Sequence, residues 1–167
     1  YAAAMSPDGQ LVAAGGWDAR TGRHGVYLFD AITGTLKARA GDFENVILNL
    51  ALSPNGRYVA ATLGGANGVR VIDVGLAKEI AADRNYAARS EGVSFAPDGG
   101  LFTVADDGYL RAYDSSFRLT AKVKTKGGNY PYSVAVHPNG KSVAVGHVEP
   151  RSVEVYRAAD LAIEFTA

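Results

Sequence analysis

A short turn sequence that recurs four times constrains the fold more than any other feature of this 167-residue chain. Each copy contains Pro, then Asp or Asn, then Gly, and the copies are Ser6-Pro7-Asp8-Gly9, Ser53-Pro54-Asn55-Gly56, Ala96-Pro97-Asp98-Gly99 and His137-Pro138-Asn139-Gly140. The four prolines are 47, 43 and 41 residues apart. A period of this length indicates a repeat protein whose units share one supersecondary structure.

The residue types of the turn predict a hairpin in every unit. Proline presets φ at the first central position of a type I turn, Asp or Asn suits the next position, and Gly takes the left-handed conformation that follows. Such a turn joins two antiparallel strands. Apolar segments flank every copy, so we predict strands before the turns at 2–5, 50–52, 93–95 and 134–136, and after them at 11–14, 58–61, 101–104 and 142–145.

Two further strands complete each unit, a third at 26–30, 69–73, 110–114 and 153–157 and a fourth at 36–40, 78–82, 119–124 and 162–166. Arg70, Arg111 and Glu154 each stand second in a third strand, which predicts an exposed face there. The fourth strand is the most polar, as is typical of an outer edge. Four strands repeated four times without a helical period predict an all-β fold of four four-stranded antiparallel blades of a β-propeller, with blades at roughly 1–43, 44–86, 87–127 and 128–167.

The unit resembles WD40-type repeats of the bacterial kind across the whole chain. Phe29-Asp30 and Tyr113-Asp114 stand where that family has Trp-Asp, and Asp107-Gly108 matches the Asp-Gly of its hairpin. Ile72-Asp73 is a weaker match, Tyr156-Arg157 departs from the pattern, and the Gly-His pair that usually precedes the inner strand in that family is absent from all units. The resemblance implies a scaffold that binds a protein or peptide, often as a sensing or docking module of a larger protein. Similar turns occur in YVTN-type and lactonase-like propellers, so an enzyme with a site at the central channel is the alternative.

Four blades leave the ring incomplete. WD40-type propellers usually have seven or eight blades, and an isolated arc would expose the apolar faces of its terminal blades. We therefore expect half of an eight-bladed ring, closed by a second copy or by missing blades of a longer parent chain. The start at Tyr1 rather than Met also favours a piece of a longer protein.

The composition bears on partners and compartment. Lys plus Arg and Asp plus Glu both number 17, so a net charge of zero offers no electrostatic reason to expect nucleic acid or an anionic membrane. No apolar run is long enough to span a membrane. The absence of cysteine excludes disulfides and thiolate metal sites but fits both the cytosol and the periplasm. We leave the compartment open, with a slight preference for the cytoplasm.

No residue pattern predicts catalysis, a cofactor or a metal site in this segment. His137 shares its column with Ser6, Ser53 and Ala96, which indicates a turn position rather than a ligand. His24 and His147 lack metal-ligand spacing, and no glycine-rich nucleotide motif is present. The inner strands carry Ala, Leu, Val and Ser, which counts against an enzymatic channel.

The irregular segments predict where a partner binds. The loops at 15–25 and 146–152 and the blade connections at 42–45, 84–91 and 127–131 should lie on the face opposite the Pro-Asp-Gly turns. Loops on a rigid scaffold often carry function, and Trp, Tyr and Arg dominate interface hot spots. We predict as contact residues Trp17, Arg20, Arg23, His24, Tyr86, Arg89, Tyr130, His147 and Arg151. The alternative is that these are solvated loop residues, with Trp17 packed on its own blade.

Overall fold

A computed structural model describes residues 2–18, 22–128, 130–149 and 151–167 and places sixteen strands in them. The strands are β1 (Ala2–Met5), β2 (Leu11–Gly15), β3 (His24–Asp30), β4 (Leu36–Phe43), β5 (Ile47–Leu52), β6 (Tyr58–Leu63), β7 (Val69–Asp73), β8 (Lys78–Asp83), β9 (Ser90–Phe95), β10 (Leu101–Ala105), β11 (Tyr109–Tyr113), β12 (Leu119–Lys124), β13 (Pro131–Val136), β14 (Ser142–His147), β15 (Val153–Arg157) and β16 (Ile163–Thr166). A single 3-10 turn at Gly65–Asn67 is the other regular element in these residues, and none of the helical structure described could cross a membrane.

Each group of four consecutive strands forms one antiparallel sheet in simple up-and-down order. Blade 1 is β1–β4, blade 2 is β5–β8, blade 3 is β9–β12 and blade 4 is β13–β16. The first strands of successive blades pack side by side, so β1, β5, β9 and β13 are the inner strands of an arc. The predicted fold class of four four-stranded propeller blades is confirmed.

The recurring turns have the predicted left-handed glycine, with φ between 68° and 89° at Gly9, Gly56, Gly99 and Gly140. In blade 2 the Ser53 hydroxyl donates to Asn55 Oδ1 at 2.7 Å and accepts from the Tyr58 N–H at 2.9 Å. Ser6 makes the same pair of bonds in blade 1. The serine therefore ties the turn to the start of the second strand.

The other two turns explain why that column tolerates different residues. In blade 3 the Ala96 N–H bonds to Gly100 O, four residues on, whereas the Ser53 N–H bonds to Tyr58 O, five residues on. The loop of blade 3 is thus one residue shorter and does not need a hydroxyl. In blade 4 the His137 ring accepts from the Asn139 N–H at 3.1 Å. His137 is a turn residue, as its column predicted.

The cores lie between blades. Strand residues alternate between a leading face, towards the next blade along the chain, and a trailing face, towards the preceding blade. One apolar cluster fills each of the three interfaces, and representative members are Leu28 and Val59 between blades 1 and 2, Val71 and Leu101 between blades 2 and 3, and Ala112 and Val143 between blades 3 and 4. Burial on both faces explains the nearly continuous apolar character of the second strands.

The prediction that the third strands have an exposed charged face is wrong. Arg70, Arg111 and Glu154 are at most 5% exposed and lie on the trailing faces of their blades. Each is buried because it has a polar partner in reach: Arg70 pairs with Glu79, Arg111 with Asp107, and Glu154 with His147. Sequence alternation indicated that these side chains differ from their neighbours but not that they have oppositely charged or polar partners in the interior.

Candidate functional site

The loops between second and third strands meet the blade-to-blade connections on one side of the arc, which we call the loop face. The Ala87 N–H lies 3.4 Å from Asp107 Oδ2, and the Gly64 N–H donates to Val46 O at 2.8 Å. The Val148 N–H lies 3.5 Å from Tyr130 O. Each contact joins a loop to a connection, so both kinds of segment share one face, as the sequence predicted.

The opposite side, the turn face, carries the Pro-Asp-Gly turns together with the turns between third and fourth strands. The Ala31 N–H donates to Gln10 O, and the Val74 N–H donates to Arg57 O. These bonds connect the two kinds of turn within a blade. Ile32 and Leu76 are exposed there and give useful control positions.

The inner strands of blades 2, 3 and 4 each contain a bulge near the loop face. The register skips one residue in each case, and the skipped residues are Leu48, Glu91 and Tyr132. A bulge redirects a side chain and is common next to functional sites. Neither the bulges nor these three residues were singled out from the sequence, because pairing register between strands depends on the neighbouring strand.

Arg89 lies between the buried carboxylate of Glu91 and the half-buried carboxylate of Asp106, beside the bulge of blade 3. Its Nε is 2.6 Å from Asp106 Oδ2 and 2.6 Å from Glu91 Oε1, while its own side chain remains 55% exposed. The hydrogen bond to Asp106 and the negative charge of Glu91 raise the pKa of Arg89. A cation fixed by two carboxylates is thus presented at the surface.

A second polar cluster is buried between blades 2 and 3. The Arg111 guanidinium forms two bonds to Asp107, at 3.1 and 2.5 Å, and lies 3.9 Å from the centre of the Tyr86 ring. Burial opposes ionisation of Asp107, but the hydrogen bond and charge of Arg111 outweigh it, so the pKa of Asp107 is lowered. Burial raises the pKa of Tyr86 and of Tyr113. This cluster joins the blades and does not reach the surface.

Three of the predicted contact residues are therefore corrected to interior positions. Tyr86 is 6% exposed, and its hydroxyl hydrogen-bonds to Thr103 and Tyr113. His24 is 4% exposed and accepts from the Asp18 N–H at 2.9 Å. The side chain of His147 is fully buried with Nε2 3.3 Å from Glu154. Each of the three aromatic rings has a polar atom with a partner inside the blades, a possibility that the loop position alone did not reveal.

The remaining predicted residues lie at the surface where the structure describes them. Trp17 and Tyr130 are 61% and 54% exposed, and Arg23, Arg89 and Arg151 are exposed as well. The Trp17 and His24 ring centres are 5.4 Å apart, a contact that leaves most of the indole open. Arg20 lies outside the described residues. The exposed residues belong to the loops of blades 1 and 4 and to the connections that lead into blades 3 and 4.

Comparison with known proteins supports the fold. No protein-family model and no curated protein matches the chain. Among solved structures it is similar to Kuenenia stuttgartiensis hydrazine synthase, with a TM-score of 0.84, 19% identity and coverage of 99% of this chain and 48% of that chain. It is similar to a chain in the mitotic checkpoint complex, with a TM-score of 0.82, 18% identity and coverage of 99% and 50%. The chain thus spans about half the length of these structures, and it has the fold of a β-propeller segment.

Proposed function

We propose that the chain is a protein-interaction module that binds a protein or peptide through its loop face. The observation that carries the proposal is the hydrogen bonding of irregular loops to the connections that lead into their blades, with Trp17, Arg89 and Tyr130 exposed on these segments. Loops fixed before binding lose less conformational freedom when a partner docks. Exposed Trp, Tyr and Arg side chains are the types that dominate interface energies.

The proposal also covers the type of propeller and how its ring is completed. The repeat pattern favours a bacterial WD40-like propeller, and one similar solved structure comes from a complex of several proteins. We propose that the arc is one half of a ring, completed by a second copy or by further blades, and that the whole serves as a scaffold or docking module of a larger protein.

Binding is favoured over the lactonase-like alternative by the state of the polar groups near the inner strands. Glu91 and Asp106 are both engaged by Arg89, and His147 is enclosed with Glu154. Carboxylates already bound by a guanidinium are not free to take a proton from a substrate, and an enclosed imidazole does not reach one. Within the described ranges, no three His, Cys, Asp or Glu side chains converge as metal ligands do.

The test is capture of a partner by variants of the loop face. Wild-type protein, the double variant Arg23→Ala/Tyr130→Ala, and the turn-face control Ile32→Ala/Leu76→Ala are immobilised and compared by quantitative mass spectrometry. We expect proteins retained by the wild type and the control to be depleted at least about tenfold on the loop-face variant, the loss that ~1.4 kcal/mol of contact energy produces.

Two results would contradict the proposal. Equal retention by all three proteins would remove the loop face as the binding surface. Hydrolysis of a lactone by the wild type that is lost in Glu91→Gln would favour the enzymatic alternative.

A further inference from the structure

The two ends of the arc present apolar faces that none of the residues described by the structure covers. On blade 1 the trailing face carries Met5 at 61% exposure, together with half-buried Val12 and Phe29. On blade 4 the leading face carries Phe165 at 57% exposure, together with half-buried Ala144 and Val155. Exposed apolar faces of this kind mark interaction surfaces.

Strand register shows which residues of the other blades correspond to those on the two end faces. In the trailing face of every blade, one residue of the second strand pairs with one of the third: Val12 with Phe29, Val59 with Ile72, Leu101 with Tyr113, and Val143 with Tyr156. In the leading face the corresponding pairs are Ala13 with Leu28, Ala60 with Val71, Phe102 with Ala112, and Ala144 with Val155.

Each interior interface brings one leading pair against the next trailing pair. Ala13 and Leu28 share an apolar cluster with Val59 and Ile72 between blades 1 and 2. The same two columns meet again between blades 2 and 3 and between blades 3 and 4. All twelve of these interior residues are at most 6% exposed. The contact is thus built three times with different side chains and is buried every time.

The fourth members of both columns are the ones left uncovered, and they lie at opposite ends of the arc. Ala144 and Val155 form a leading pair without a following blade, and Val12 and Phe29 form a trailing pair without a preceding one. One copy of the chain therefore carries both halves of a fourth contact. At the rim of these faces Arg39 and Arg157 are already paired with Asp42 and Asp160, so they bring no unpaired charge to the contact.

We infer that two copies of this chain close into a ring of eight blades, with the leading face of blade 4 in each copy packed on the trailing face of blade 1 in the other. This deepens the proposed function, because it names the occupant that completes the scaffold. A contact between two different faces closes after two copies when each spans half a turn. The ring then contains two identical new interfaces.

Ring closure also assigns a role to two exposed loop residues. Trp17 lines a cleft of about 260 Å³ with Ala14, Tyr27 and Phe29 at the edge of the blade 1 end face. Arg151 lines a cleft of about 400 Å³ with Gly146 and Val153 at the edge of the blade 4 end face. Closing the ring places these loops side by side, and Trp with Arg is a favourable cation–π combination.

The first experiment is a mass measurement by sedimentation at tens of micromolar. We expect twice the 17.5 kDa of one chain for the wild type and for the turn-face controls Ile32→Glu and Leu76→Lys. Val12→Glu and Val155→Lys each place an unpaired charge in both interfaces, so each should weaken the dimer at least about 100-fold and sediment as a monomer. Circular dichroism checks that both variants keep their strands, and Met5→Glu replaces Val12→Glu if that variant does not fold.

The decisive step is to mix the Val12→Glu and Val155→Lys variants. One interface of the mixed ring then places the introduced carboxylate against the introduced ammonium group, and the other interface is wild type. We expect the mixture to recover the mass of two copies. A monomeric wild type, an assembly larger than two copies, or variants that dimerise as well as the controls would overturn the inference.

The outcome is separable from that of the proposed function. Arg23 lies in the loop between β2 and β3 beside Asp42, and Tyr130 lies in the connection between blades 3 and 4. Neither residue belongs to the columns of the end faces, so the capture experiment does not depend on those faces. A monomer that still captures a partner refutes only the ring. A dimer that captures nothing through its loop face refutes only the interaction module.

Discussion

At the residue scale, the turn columns show how one sequence position serves different chemistry in each repeat. The hydroxyls of Ser6 and Ser53 accept from a backbone N–H in a five-residue connection, whereas Ala96 closes a connection that is one residue shorter. Loop length and residue type change together, because a hydroxyl stabilises the turn only where an N–H needs a partner. The repeat is therefore preserved in geometry while its residues differ.

Replacing the turn serine with alanine should destabilise the protein. In Ser53→Ala the Tyr58 N–H loses its acceptor, and we expect the free energy of unfolding to fall by about 1 kcal/mol. In Ala96→Ser the added hydroxyl is buried without an N–H to bond, so no gain in stability is expected. Urea denaturation measures both variants, and an unchanged stability of Ser53→Ala or a gain in Ala96→Ser would contradict the proposed role of the serine.

At the element scale, the third strands join the blades through buried charges. Arg111 lies between Asp107 and the Tyr86 ring, and Glu154 accepts the Lys126 N–H of the preceding blade at 3.2 Å. Such a pair is strongly sensitive to the loss of one partner, because the other charge then remains buried alone. These strands therefore act as interblade connectors rather than as semi-exposed ribbons.

Removing the partner of Arg111 should be costly for this reason. We expect Asp107→Asn to lower the free energy of unfolding by about 3 kcal/mol. Asp114 and Arg118 have the same four-residue spacing, but Arg118 is exposed, so Asp114→Asn should have little effect. Chemical denaturation of the two variants compares a buried pair with an exposed pair, and similar losses in both would contradict the account.

The pair of Asp107 and Arg111 also makes the stability of the protein depend on pH in the acid range. Because the pKa of Asp107 is lowered below 3.8 in the folded protein, its contribution is complete above that value and is lost as the pH falls through the folded pKa. Stability below about pH 4 should therefore decrease less steeply in Asp107→Asn than in the wild type, which acid titration of the urea midpoint would show.

At the scale of the whole molecule, stability comes from contacts between neighbouring blades, as in other repeat proteins. The three cores are alike in position, so the terminal blades each lack one of the two neighbours that an interior blade has. The similar solved structures extend to about twice the length of this chain. We therefore expect the stability of such an arc to increase most when its two end faces are covered.

The same Val→Ala change at two positions of one column measures how much stability is gained when an end face is covered. Val143→Ala empties space in the core between blades 3 and 4 and should cost about 2 kcal/mol at any protein concentration. Val12→Ala removes the equivalent methyl groups at the end face, so its cost should be small at submicromolar concentration and approach that of Val143→Ala when copies associate. Thermal unfolding across a concentration series tests this, and a constant small cost for Val12→Ala would count against closure.

The local features of the fold were predictable from the sequence because they depend on neighbours along the chain. The Pro-Asp-Gly turns set the hairpins, alternation and apolar runs set the strands, and four periods set the number of blades. The loop face followed in the same way, since consecutive strands in an up-and-down sheet must place their connections on alternate sides.

Only the tertiary structure decided which side chains are inside and which are presented. Burial of Tyr86, His24 and His147 depends on partners in other strands or connections, and the position of Glu91 depends on a bulge against β10. Strand register likewise decided that Val12 and Val155 belong to columns buried elsewhere. These contacts depend on how loops and strands fold back on one another, and a linear pattern of residue types does not contain the distances that decide them.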